Sequence, residues 1–355
     1  MGDVFKLVPD HVRSKLGSRS KVCLVSGKEL FKRMREEKFI LMACNTRIKH
    51  VIPGIMRAAQ ELDALVAFEL AMSEGNVDGG YTGMSPQIYF DTIVDYAERT
   101  KFTKPFVIHG DHITIKDTSE KAFIKGQTLI AAELDAGYTC FAIDASFNEL
   151  PDNIRITTSL AKKIIDSDLG LEVEVGEVKS VGSEGEITTV AEAKEFIETL
   201  LNNGIHPNLL ATNNGSKHGN YLPGEEVHID LQRTKEIHAT ISKHGVDIAQ
   251  HGITGTPLHM MSKFVDCGIK KGNVGTLWQN VAHEHLPKDL MDKMKQWAKD
   301  QGKSVKEATK PFKTEIDAIP EASRIALEDH AYREAKDFFK AFQAIGSATK
   351  LAQRC

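Results

Sequence analysis

The chain has 355 residues, 41% hydrophobic and 26% charged with a formal net charge of −4, a balance that supports a sizeable core and excludes a disordered chain. A nucleic-acid binder normally shows a clustered basic excess, and none stands out here. No apolar run approaches the roughly 18 residues of a membrane span, and the first residues do not form a charged-then-apolar leader, so a cytoplasmic protein with neither membrane nor nucleic-acid partners is expected. Cys23, Cys44, Cys140, Cys267 and Cys355 are scattered, mostly inside apolar runs, and imply neither a disulfide framework nor a CxxC zinc site.

Residues 1–38 are mixed and charged, with a helix expected over 27–37, and read as an N-terminal cap. From there, short apolar runs rich in β-branched and aromatic residues recur at 39–45, 64–70, 106–111, 139–144, 171–176, 209–214, 246–250 and 269–276. Segments of helical periodicity separate them, at 52–62, 86–98, 120–134, 154–165, 190–203, 231–244 and 257–267. Strands alternating with helices predict a parallel sheet, and the number of units matches a (β/α)₈ TIM barrel over about 39–285. A doubly wound open sheet is the alternative, although Ala43-Cys44-Asn45-Thr46-Arg47 is not the glycine-rich loop such a sheet often carries after its first strand. Residues 286–355 read as a charged C-terminal helical extension, and residues 1–355 as a single domain.

Barrel enzymes place their chemistry at the carboxyl ends of the strands. Those ends here carry Asn45, Asp111 with His112, Asp144, Glu174, Asn214 with His218 beyond it, His251, and Asn273 with Thr276. His112, His218 and His251 follow the third, sixth and seventh strands, where three neutral imidazoles can converge on one divalent ion and leave a position for substrate, as in a catalytic zinc site. Gly252-Ile253-Thr254-Gly255-Thr256 and Gly272-Asn273-Val274-Gly275-Thr276 follow or end the last two strands, the usual phosphate loops of such barrels.

These residues carry a resemblance. His109-Gly110-Asp111-His112 is similar to the HxDH motif of the class II, metal-dependent ketose-bisphosphate aldolases, and Ala142-Ile143-Asp144-Ala145-Ser146 resembles their IDGS segment. Glu172-Val173-Glu174-Val175-Gly176 resembles EvElG, and His218-Gly219-Asn220-Tyr221 resembles HGxY. His251 to Pro257 resembles HGGSGxP, Lys271 to Thr276 resembles KxNxxT, and Ala344 to Lys350 resembles the family's lGSagK ending.

The resemblance implies a lyase that cleaves a ketose bisphosphate reversibly, fructose 1,6-bisphosphate first, with tagatose 1,6-bisphosphate or a non-catalytic barrel subunit as alternatives. It implies a divalent metal, Zn²⁺ ahead of Fe²⁺ or Co²⁺, held by His112, His218 and His251 with Glu174 nearby. Asp111 is implied as the acid–base group at the scissile bond, and Asn273 as the hydrogen-bonding partner of the enediolate. Glu184 is the nearest match to the mobile glutamate after the fifth strand, with Glu177 and Glu186 as alternatives. Asn45, Ser73, Gly219, Gly252, Thr254, Asn273, Gly275 and Thr276 are implied substrate contacts, with Arg324 for the second phosphate. A homodimer or homotetramer is expected.

The pattern also departs from the family. Ile253 replaces a glycine of HGGSG, the loop after the fifth strand lacks GGxED, and residues 113–126 form an insertion relative to the short form.

Overall fold

The short β-branched and aromatic runs form strands β1 Leu41–Asn45, β2 Val66–Ala71, β3 Phe106–Thr114, β4 Cys140–Asp144, β5 Gly170–Val175, β6 Leu209–Thr212, β7 Asp247–Gln250 and β8 Ile269–Val274 in a computed structural model that describes residues 3–177, 186–221 and 227–355. Each strand pairs in parallel with the next and β8 returns to β1, so the sheet closes into a barrel. The (β/α)₈ expectation is met and the open sheet is not. Nearly every strand position is buried, as expected when helices cover the outside and side chains fill the inside.

Two short helices, α1 Asp10–Leu16 and α2 Gly27–Met34, precede the barrel. One helix follows each strand: α3 Ile52–Leu62, α4 Pro86–Thr100, α5 Glu120–Ala136, α6 Leu150–Asp166, α7 Val190–Asn202, α8 Leu231–Ile241, α9 Leu258–Phe264 and α10 Thr276–His285. Local sequence sets their starts. Ser85 and Ser119 accept hydrogen bonds from the first-turn amides of α4 and α5, and Thr189 with Glu192 forms a capping box on α7. Among the described residues no helix is long and apolar enough to cross a membrane.

The N-terminal segment closes the amino end of the barrel. The amide of Val25 donates to the carbonyl of Phe106, and that of Gly27 to Thr139, at 2.9 and 3.0 Å. Beyond the barrel lie α11 Lys288–Gln301, α12 Lys313–Asp317, α13 Glu321–Ala341 and α14 Ser347–Gln353. The start of α14 binds back to the turn between α3 and β2: Gly346 N donates to Leu62 O, Ala348 N to Asp63 O, and Leu65 N to Ser347 Oγ.

Helix α13 packs along α3, and Gly54 is where the two come closest. A Cβ at Gly54 would lie 2.2 Å from the carbonyl oxygen of Glu328 and 2.8 Å from the amide nitrogen of Tyr332, so backbone would have to move. Gly54→Ala is therefore expected to destabilise the fold by about 1–3 kcal/mol, the usual cost of overpacking, as a lower urea midpoint at unchanged slope.

Two boundaries differ from expectation in ways that matter for function. Strand β3 runs on past Asp111 to Thr114, with its pairing to β4 shifted between Gly110 and Ile113. The eighth strand stops at Val274, because Gly275 turns the chain and Thr276 is already the first residue of α10.

Candidate active site

His112 sits in the register shift of β3 with φ of 40°, a left-handed conformation that costs a non-glycine residue energy. The bulge re-aims its imidazole across the rim instead of along the pleat. His218 lies on the loop after β6 and His251 directly after β7. These two loops meet at Gly252, whose φ is 67° and where a Cβ would fall 2.7 Å from Lys217 O and 2.8 Å from Lys217 N. Only glycine lets the loop after β7 approach the residue preceding His218 this closely.

The ring centroids of His112 and His251 are 4.4 Å apart, those of His112 and His218 5.3 Å, and those of His218 and His251 6.0 Å. Ligand atoms of all three fall within 4.8 Å of one another. Nε2 of His251 is 2.8 Å from Oε1 of Glu172, while its Nδ1 is buried without a partner. A buried imidazole nitrogen left open while its opposite nitrogen is held by a carboxylate is the arrangement of a metal-ligating histidine. His218 is driven down to about 3 by burial and by the facing His112 and His251, so it is neutral, as a ligand must be.

Carboxylates surround His112. Its Nδ1 is 3.3 Å from Asp144 Oδ2 and 3.3 Å from Glu174 Oε2. Burial disfavours the imidazolium, yet Asp111, Glu174 and Asp144 outweigh it and raise His112 above its ordinary value. Surroundings that favour a proton there also favour a dication. The residues therefore fit a divalent metal on chemistry as well as position.

Asp111 precedes His112 and is 2% exposed. Its Oδ2 accepts from Asn45 Nδ2 at 2.9 Å and its Oδ1 from Asn273 Nδ2 at 2.8 Å. Burial works against its charge, but His112, Lys271 and His251 hold the carboxyl well below the usual range. It is an ionised carboxylate fixed by two amides.

Beneath the histidines lies a buried charge network. Lys271 Nζ on β8 is 2.9 Å from Glu172 Oε2, 3.2 Å from Glu69 Oε2 and 2.8 Å from Asn273 Oδ1. Burial opposes the ammonium, but Glu172 and Glu69 raise Lys271 above its ordinary value. Glu172 is held low despite burial, chiefly by Lys271 and His251, whereas burial and Asp111 push Glu69 well up. The result is one anion, Glu172, that faces Lys271 on one oxygen and His251 on the other. His109 is wholly buried, its Nε2 3.7 Å from Glu172 Oε2, and burial beside Lys271 lowers it to about 3. It supports the network from the side and does not join the histidine cluster.

The rim above this network opens into one cavity of about 870 Å³. Asn45, Ser73, Asp111, His112, Glu174, His218, Gly219, Gly252, Thr254, Asn273, Gly275 and Thr276 all line it. On one side, Gly252, Thr254, Gly275 and Thr276 bring backbone and hydroxyl groups to the amino end of α10, an arrangement suited to an anion. On another, Lys116, Lys121, Lys125 and Lys306 line the wall, exposed and without an ion-pair partner among the described residues. The first three lie on the loop after β3 and on α5, the segment read from sequence as an insertion.

Arg324 stands apart. It is on α13, its guanidinium 3.5 Å from Glu321 and 3.6 Å from Glu328, and it does not line the cavity. The face of α13 that carries it turns toward those acids. Glu184 lies outside the described residues; of its alternatives, Glu177 lines the cavity, and the backbone carbonyl of Glu186 accepts from Asn213 Nδ2.

Four residues given no role from the sequence help to build the site. Glu172, Lys271 and Asp144 stood inside quoted motifs, and inward alternation along their strands was the available signal. Arg47 gave none. It is held by Glu74 at 2.6 Å and lines the cavity beside Gly275, where its Nη2 would be 2.9 Å from an added Cβ.

Fold and rim together define a metal-dependent barrel enzyme. The family model described as fructose-bisphosphate aldolase class-II matches residues 25–324. A fructose-bisphosphate aldolase of Streptococcus pneumoniae is 26% identical over 259 residues, 72% of this chain and 80% of its own length. One from Staphylococcus epidermidis is 28% identical over 260 residues, 71% and 81% of the two chains. Among solved structures, the fructose-bisphosphate aldolase of Campylobacter jejuni superposes with a TM-score of 0.68 at 16% identity, covering 98% of this chain and 99% of that one. The YdjI aldolase of Escherichia coli K12 does so at 0.65 and 18%, covering 92% and 99%. The chain belongs to the class II fructose-bisphosphate aldolase family, and is a lyase that takes a phosphorylated sugar.

Proposed function

We propose that the chain cleaves and forms ketose 1,6-bisphosphates, fructose 1,6-bisphosphate to dihydroxyacetone phosphate and glyceraldehyde 3-phosphate in the first instance. The observation that carries this reading is Asp111, ionised and fixed by two amides, beside three convergent histidines in a cavity with two separate anion-attracting walls.

A dication held by His112, His218 and His251, with Glu174 alongside, would supply Lewis-acid polarisation of the substrate carbonyl; zinc suits the imidazole set, as do iron and cobalt. Asp111 takes the proton from the hydroxyl at the scissile carbon–carbon bond and returns it in the synthetic direction. Asn273 keeps that carboxylate aimed and lines the cavity where the three-carbon phosphate would sit. Gly252, Thr254, Gly275 and Thr276 bind its phosphate with the amino end of α10. An acidic residue of the loop after β5 handles the proton on carbon, Glu177 or the sequence-assigned Glu184.

The lysine wall takes the second phosphate, the role the sequence reading gave to Arg324. A ketose 1-phosphate lacking that group loses a charge-assisted contact of about 1.5–3 kcal/mol, which is roughly a 10- to 100-fold drop in kcat/KM. The test is a coupled retro-aldol assay on fructose and tagatose 1,6-bisphosphates and their 1-phosphates. Turnover should vanish with EDTA, return with zinc or cobalt, and favour the bisphosphates. Activity that survives EDTA, or none on any bisphosphate with metal bound, would overturn the assignment.

A further inference from the structure

On the outer surface the last turn of α10 faces the middle of α13, and Glu284, His285 and His330 meet there. They offer three ligand atoms within 4.8 Å of one another, and none of the three lines the active-site cavity. His285 Nε2 lies 3.0 Å from His330 Nδ1, the two rings nearly perpendicular at 85°. Glu284 Oε2 lies 3.6 Å from the same His330 nitrogen.

These separations have a chemical meaning. Zinc bonds of 2.0–2.2 Å in a tetrahedron put neighbouring ligand atoms about 3.3–3.6 Å apart. The two separations measured from His330 Nδ1, 3.0 and 3.6 Å, lie close to that edge, and the third ligand pair is within 4.8 Å. The opposite nitrogen of His330 faces a carboxylate: Nε2 is 3.5 Å from Glu334 Oε1, one helical turn along α13. A carboxylate on that side can take the ring proton of Nε2 and leave the Nδ1 lone pair to a metal, the arrangement that orients metal-ligating histidines.

Two helices contribute, each from a different part of the architecture. Helix α10 is the last helix of the barrel, and its opposite end forms part of the anion-binding wall; α13 belongs to the C-terminal extension. We propose that Glu284, His285 and His330 bind a transition-metal dication, zinc first, at a second site that clamps α13 to α10. Two imidazoles and one carboxylate select zinc, copper, nickel or cobalt over magnesium and calcium, and the partly exposed position leaves the fourth place to water.

The full-length chain, equilibrated with a small excess of zinc and passed through a desalting column, is assayed for bound metal by elemental analysis. Wild type should carry two equivalents, and His285→Ala and His330→Ala one each, with unchanged circular dichroism. Helical stapling is read separately in a His112→Ala background, which removes a ligand of the cavity site: zinc should raise its Tm, and should fail to do so once His330→Ala is added. A single equivalent in wild type that persists in His330→Ala would overturn the site. So would two equivalents undiminished in both surface variants. Stoichiometry that follows the prediction without any Tm shift would overturn the clamp.

Discussion

Asp111→Asn is expected to lower kcat by roughly 10²- to 10⁴-fold, the range attributed to a lost general acid–base group, while the chain keeps its metal. Asparagine preserves the size of the side chain and an oxygen for one amide donor, so the rim should stay packed; what it cannot do is accept the hydroxyl proton. In the wild type Asn45 and Asn273 both donate to this carboxylate, and the cationic surroundings hold it ionised. The residue therefore waits in the form that takes a proton. Asp111→Ala should match Asp111→Asn in turnover and be less stable, because Asn273 and Asn45 each lose a buried acceptor, Asn45 keeping only Glu74. Steady-state kinetics and metal content together decide the matter. A variant of either kind that retains most of the wild-type kcat, or an Asp111→Asn chain that loses its metal, would remove Asp111 from the role given to it.

The second large effect is on stability. Lys271→Met should cost about 3–5 kcal/mol, the range for stripping one partner from a buried ion pair. Lys271 is 1% exposed, and its removal leaves Glu172 charged inside the barrel facing His251 and His109 without its ammonium. Methionine fills nearly the same volume, so the loss reports charge and not a cavity. Adding Glu172→Gln should recover part of the stability, since the orphaned anion goes with it, while weakening metal binding about 10- to 100-fold through the lost hold on His251. Urea denaturation of the two chains, with a metal-affinity titration of the double variant, separates these effects. Equal stability of wild type and Lys271→Met would show that the network carries no net charge pair.

Much of this architecture was legible beforehand because parallel strands buried on both faces read as unbroken apolar runs, and because their polar endings fall on one rim. His112, His218 and His251 were visible as endings of that kind. What sequence could not show is how they meet: the bulge at His112 and the contact of Gly252 with Lys217 depend on pairing between strands far apart in the chain. The same reason hid Lys271 and Glu172, which in sequence look like polar interruptions and in space form one ion pair. Arg324 was proposed only as a late arginine, and its place in the chain does not reveal which way its helix face turns; in space it meets Glu321 and Glu328. The lysines of 116–125 were passed over as part of an insertion, although that insertion forms a wall of the cavity.

The return of the C-terminus to the start of the barrel bears on how the chain is made. Thr349 N donates to Asp63 Oδ2 across 286 positions of sequence, and β1 completes its pairing only when β8 arrives. During synthesis at roughly 5–20 residues per second, the early strands therefore wait many seconds with an unpaired edge. Contacts of such separation fold slowly and leave that edge open to other chains. Final closure waits for α14, and a chain lacking that short helix would lose bonds that seal residues 62–65.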